Sequence, residues 1–145
     1  GGLYITDAEP TFNNIEFVNN SAPLGMGGGV YVTMKKGIIA WPIFNNCTFR
    51  GNFARNGGGI AIDAVSSTFN NVEVIDNKAN NVGGGGAILQ NPFNVEFNNC
   101  KFHKNTIHST SKLGSGGGVY ILSNNRLTVI RMISFIGGHI EVKQH

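Results

Sequence analysis

The chain has 145 residues, of which 41% are hydrophobic and 13% charged, with a formal net charge of +3. The apolar fraction is enough for a core, and the charged fraction lies well below the ~25% of an ordinary domain, which excludes a charge-rich disordered segment. Its basic residues are scattered, with no run longer than Lys35-Lys36, so there is no nucleic-acid footprint, and no apolar run approaches the ~20 residues of a membrane-spanning helix.

Two phrases alternate along the chain. It opens on GGLYI (1–5), followed by FNNIEFVNN (12–20). The pair returns as GGGVYV (27–32) with FNNCTFRGN (44–52), and as GGGIAI (57–62) with FNNVEVIDN (69–77). It returns again as GGAIL (85–89) with FNNCKFHKN (97–105), and then as GGGVYI (116–121) with a degenerate partner beginning at Val129. Aligning the first apolar residue of each glycine phrase gives the column Leu3, Val30, Ile60, Ile88, Val119, with spacings of 27, 30, 28 and 31 residues. A period of this size signals a solenoid.

Within each unit the apolar residues alternate, as Val30 and Val32 do around Tyr31, or Cys47 and Phe49 around Thr48. Period two means strand, and helical spacing is nowhere sustained. The strands are short and bounded by Gly or Asn, the residues that most readily take the left-handed backbone of a tight turn. Phe12 and Ile15 both belong inside yet lie three apart, so the chain bends at the Asn pair between them. Each unit is therefore expected to contain three short strands: one after the glycines, one ending at the Asn pair and one beyond it.

The expected fold is all-β: a right-handed parallel β-helix of about five coils, one single segment over 1–145, with coils starting near 1, 28, 58, 85 and 117. Residues 126–145 read as a divergent last coil or the start of a cap. Because the chain opens in mid-repeat, it reads as a piece of a longer rod. Stacking coils ~4.8 Å apart sets like residues over like. Asn14, Asn46, Asn71 and Asn99 are expected to form one amide ladder and Asn20, Asn52, Asn77 and Asn105 another, each bonding from coil to coil.

The phrases GGAI (85–88), FVNN (17–20), FRGN (49–52) and FHKN (102–105) resemble the paired GGA[ILV] and FxxN repeats of polymorphic outer-membrane proteins. The resemblance covers about residues 1–122 and departs where GGG replaces GGA, where VIDN (74–77) lacks the Phe, and where the Asn corners stop after Asn125. It implies a right-handed β-helix surface protein or autotransporter passenger, many of which act as adhesins.

Little in the chain has the spacing of a reactive centre. Cys47 and Cys100 fall in one column with Ile15, Val72 and Met132. Two coils separate them, ~9.6 Å, beyond the ~7 Å that a disulfide allows, so both are expected to be buried thiols. Glu16 and Glu73 point outward, separated by Thr48, and no histidine pair has ligand spacing. No catalytic residue, metal or cofactor is expected.

Two connections break the repeat. One is TMKKGIIAWPI (33–43), which makes Lys35, Lys36 and Trp41 the candidate partner-contact residues, since loops on a rigid scaffold carry binding and Trp is enriched at interfaces; the other is TIHSTSKLGSGG (106–117). Of two glycosylation sequons, Asn19-Asn20-Ser21 and Asn46-Cys47-Thr48, Asn19 is the expected acceptor, because Asn46 is expected to be held in a ladder. The chain thus reads as a non-enzymatic structural or adhesive scaffold at the cell surface or outside it. The alternatives are a subunit of an extracellular filament and a fragment of a carbohydrate-active enzyme. Its expected partners are other subunits or the rest of its own chain at the open ends, and surface glycans.

Overall fold

A computed structural model of the protein describes residues 1–37, 40–81, 85–108, 118–123, 129–133 and 140–144. The first coil contains β1 (Leu3–Thr6), β2 (Thr11–Asn13), β3 (Glu16–Val18) and β4 (Ser21–Met26). The second contains β5 (Val30–Thr33), β6 (Ile43–Asn45), β7 (Thr48–Arg50) and β8 (Phe53–Asn56), and the third β9 (Ile60–Asp63), β10 (Ser67–Asn70), β11 (Glu73–Ile75) and β12 (Lys78–Ala79). The fourth contains β13 (Ala87–Gln90), β14 (Asn94–Asn98), β15 (Lys101–His103) and β16 (Thr106–Ile107). Three further strands follow: β17 (Val119–Ser123), β18 (Val129–Ile133) and β19 (Ile140–Gln144).

Every strand pairs in parallel with its counterpart one coil away. Sheet A runs β1-β5-β9-β13-β17-β19, sheet B β2-β6-β10-β14-β18, sheet C β3-β7-β11-β15 and sheet D β4-β8-β12-β16. The described residues complete four turns of this β-solenoid, and β17 and β18 carry sheets A and B into a fifth. Residues 129–133 and 140–144, read from sequence as a divergent coil or cap, extend these two sheets. Among the described residues no helix is long and apolar enough to cross a membrane.

Side chains inside the coils stack in columns. Phe12, Phe44, Phe69 and Phe97 lie one over the next, with ring centroids 5.1, 5.1 and 5.0 Å apart and rings within 17° of parallel. Phe17 stacks on Phe49 at 4.7 Å. These separations match the strand spacing of ~4.8 Å, so the backbone ladder and the ring stack impose the same repeat. Deleting a buried ring of this kind costs about 3–5 kcal/mol.

The structure corrects the expected arrangement at several points. Each of the four coils that the described residues complete has four strands, not three. The extra strand is as short as Lys78–Ala79 and buries little more than one Ala per coil, such as Ala54 and Ala79, so it had no alternating apolar pattern to reveal it. In sheet A the fourth-coil partner of Ile60 is Ala87, not Ile88. Ala87 faces the core, while Ile88 lies on the outer face with Ala61 and Tyr120 in a second, smaller apolar cluster. The fifth copy of the Phe column is Met132, which pairs with Phe97, while Val129 pairs with Asn94. Met132 therefore leaves the cysteine column.

Candidate functional site

The two repeated phrases meet in space. Asn20, Asn52, Asn77 and Asn105 form an internal ladder, with Asn52 and Asn77 buried to 1% and 0% exposure. Each Nδ2 donates to the Oδ1 of the Asn in the next coil, at 3.1, 3.0 and 3.0 Å. The same Oδ1 accepts the backbone N–H of the Asn below, at 2.9, 2.9 and 3.0 Å. The other Nδ2 hydrogen of Asn52, Asn77 and Asn105 goes to the carbonyl of Phe17, Phe49 and Val74 respectively.

The glycine phrase makes room for this ladder. A Cβ on Gly59 would approach the Gly86 carbonyl to 2.7 Å and the Asn77 amide to 3.1 Å, and one on Gly86 would approach the Asn105 amide to 3.1 Å. GG and FxxN are thus two halves of one device.

The other expected ladder is shifted by one residue. Asn14, Asn46, Asn71 and Asn99 do occupy the corner, with φ of 59°, 54°, 54° and 55°, and their N–H groups tie coil to coil, as Asn46 does to the Asn70 carbonyl at 2.9 Å. Their side chains are exposed. Within that column Asn99 donates to Asn71 at 2.6 Å. The continuous outer ladder belongs instead to Asn13, Asn45, Asn70 and Asn98, joined at 3.0, 2.9 and 2.8 Å. The reason is geometric. The last strand residue keeps an extended backbone and stacks its side chain in the pleat, and the next residue turns left-handed and swings its side chain outward.

The three candidate contact residues separate. The backbone N–H groups of Lys35 and Lys36 both donate to Asp7 Oδ1, at 3.1 and 3.0 Å. The Lys36 bond foremost, with help from Thr6 and Lys35, holds the Asp7 carboxyl below its usual range. Lys35 Nζ sits 5.5 Å from the Tyr4 ring centroid, beside sheet A. Trp41 lies elsewhere, 37% exposed, and its Nε1–H donates to Thr68 Oγ1 at 2.8 Å, which pins the indole to sheet B. With Glu9, Ile43 and Thr68 it walls an open cleft of about 360 Å³.

Sheet A carries a feature that the sequence reading missed. Tyr4 and Tyr31 pack edge to face at 5.5 Å, and Tyr31 Oη donates to Asp63 Oδ2 at 3.4 Å. Burial raises the pKa of both Tyr31 and Asp63 above their ordinary values. The signal was present in GGLYI and GGGVYV, where Tyr occupies the outward position of two adjacent coils.

Both thiols are free and buried. Cys47 donates to the Asn45 carbonyl at 3.3 Å and Cys100 to the Phe69 carbonyl at 3.3 Å. Desolvation raises both thiols, Cys100 to about 11, which marks inert core cysteines. On sheet C, His103 Nε2 lies 3.4 Å from Glu73 Oε2. No group of three or more His, Cys, Asp or Glu side chains converges as a metal site among the described residues.

Four parallel sheets closed by left-handed corners define a parallel β-helix, and the chain belongs to the right-handed beta helix region family, which matches residues 1–133. It is also similar to metabotropic glutamate receptor-like protein R of Dictyostelium discoideum, 26% identical over 125 residues. That match takes in 85% of this chain and 7% of the relative, so the chain spans a small fraction of the protein it resembles. No solved structure matches it.

Proposed function

We propose that the chain is a non-enzymatic, extracellular scaffold, a rigid segment of a larger surface protein that presents a contact surface to a partner as an adhesin does. One observation carries this reading. The Asn side chains of the two ladders are taken up in joining one coil to the next, while the connection that breaks the repeat sets Trp41 at the wall of an open cleft. A fixed Trp on a rigid frame loses little freedom on binding, which suits an interface anchor.

The similarity to a receptor-like protein supports a surface location, and the resemblance to polymorphic outer-membrane repeats supports an adhesive role. Right-handed β-helix regions occur in enzymes and in non-enzymes. Here the outward carboxylates favour the second: Glu16 and Glu73 are separated by Thr48, and Glu73 is next to Lys101.

The test has two parts. Antibody raised against this segment should label intact source cells, and labelling only after permeabilisation would refute the extracellular reading. The purified chain should bind those cells at least tenfold more tightly than its Trp41→Ala variant. Equal binding would remove the cleft from the contact, and release of reducing ends from polysaccharides would favour the enzyme.

A further inference from the structure

We propose that Asn46 is an N-glycan acceptor, a modification that rests on the extracellular reading and that the folded coil accommodates. Three consecutive residues at this corner have three different fates. Asn45 is held in the outer ladder, accepting from Asn70 at 2.9 Å and donating to Asn13 at 3.0 Å. Cys47 is buried in the core. Between them Asn46 takes the left-handed corner with φ of 54°, spends its backbone N–H on the Asn70 carbonyl, and leaves its side chain exposed. The expectation that a sugar here would break a ladder is therefore overturned, because the amide that holds the coils together belongs to the residue before.

The position two residues on selects this corner over its equivalents. The outward row of sheet C that follows the corner reads Glu16, Thr48, Glu73, Lys101. Among the described residues of this row only the second coil places a hydroxyl there, so Asn14, Asn71 and Asn99 share the exposed corner but lack the sequon. Asn19, the second acceptor, is also exposed and left-handed with φ of 55°, and its Oδ1 packs against Gly51 of the next coil.

The chemistry balances with one co-reactant, a lipid-pyrophosphate-linked oligosaccharide. Asn46 Nδ2 forms a bond to the anomeric carbon and loses one amide proton to solvent. The bond from that carbon to the pyrophosphate oxygen breaks, and the lipid pyrophosphate leaves. Transfer takes place on the extended chain, and the fold then decides whether the product is tolerated. The glycan on Asn46 would cover the corner between sheets B and C.

The whole chain is secreted from eukaryotic cells behind a supplied leader, with a control sequon in a flexible tag, as wild type, Asn46→Gln, Thr48→Ala and Asn19→Gln. Mass is read before and after treatment with peptide-N-glycosidase, and the Asn46 peptide is sequenced by mass spectrometry. Each variant should lose the mass of one glycan, and Thr48→Ala does so with Asn46 retained. Removing the sugar should move the melting temperature by no more than ~2 °C. An unmodified Asn46 peptide beside a glycosylated tag would overturn the proposal, as would a modified chain that is markedly less stable than the bare one. Because the leader is supplied, this outcome is independent of where the natural protein resides.

Discussion

Replacing Asn77 by Ala should be among the most damaging single changes in the rod, and its size can be worked from the contacts. The Asn52 backbone N–H, buried, loses the Oδ1 that accepts it at 2.9 Å. The Asn52 Nδ2, the Phe49 carbonyl and Asn105 Oδ1 each lose one partner. An orphaned buried donor costs ~1–3 kcal/mol and each of the three further net hydrogen bonds ~1, so the loss should be about 4–6 kcal/mol before any water enters the gap. Against a total stability of ~5–15 kcal/mol this is a large fraction. Asn45→Ala provides the contrast. One of its two ladder bonds is exposed and the other only partly buried, so water replaces much of what is lost, and it should cost about 1 kcal/mol or less. Urea unfolding followed by far-UV circular dichroism measures both. Equal midpoints for the two variants would refute the claim that the inner ladder, rather than amide stacking in general, holds the coils.

The glycine half of the device is tested by Gly59→Ala, whose Cβ would crowd the Gly86 carbonyl and the Asn77 amide. It should lose about 2–3 kcal/mol, while Gly25→Ala, with only Ala22 at 3.9 Å, should lie within about 0.5 of wild type. Cys47 and Cys100 should resist a thiol reagent in the native protein and react fully in denaturant, and rapid native labelling would contradict their burial and raised pKa values. Asp63 gives a pH signature. Burial raises its folded pKa above the ordinary 3.8, Tyr31 offsetting only part of this. The folded state therefore binds the proton more readily, and stability present below the ordinary pKa is lost as pH rises through the raised one. Asp63→Asn keeps an acceptor for Tyr31 and should be more stable than wild type at pH 7. The difference should vanish near pH 3, and a gain that persists there would rule out the charge as its cause.

Much of this fold was legible in the chain because a parallel stack repeats each environment at each coil. The Phe column and the Asn20–Asn105 column stand in identical surroundings four times, so the same residue solves the same problem four times. Where that logic weakens, the residue pattern no longer specifies the structure. Sheet D needs little more than a small residue such as Ala54 or Ala79 in each coil, and a lone Ala has no period. The glycine run before Ala87 offers two frames, and the larger Ile88 was the more attractive core residue although it packs on the outer face. In FNN two asparagines compete for one ladder, and only the backbone turn at the second decides that the first keeps it. Trp41 was legible as an interruption of the repeat, but its bond to Thr68 and its neighbour Glu9 depend on a fold-back that no repeat specifies. Tyr31 and Asp63 come together from adjacent coils 32 residues apart, visible only once the register is known.

The central claim is that an internal amide ladder joins each coil to the next. Hydrogen exchange at the asparagine side-chain amides, read by NMR on the folded chain, tests it most directly. The Nδ2 protons of Asn52 and Asn77 should exchange orders of magnitude more slowly than those of Asn46, whose side chain is exposed. Asn52 and Asn77 amides exchanging as fast as that of Asn46 would contradict the account.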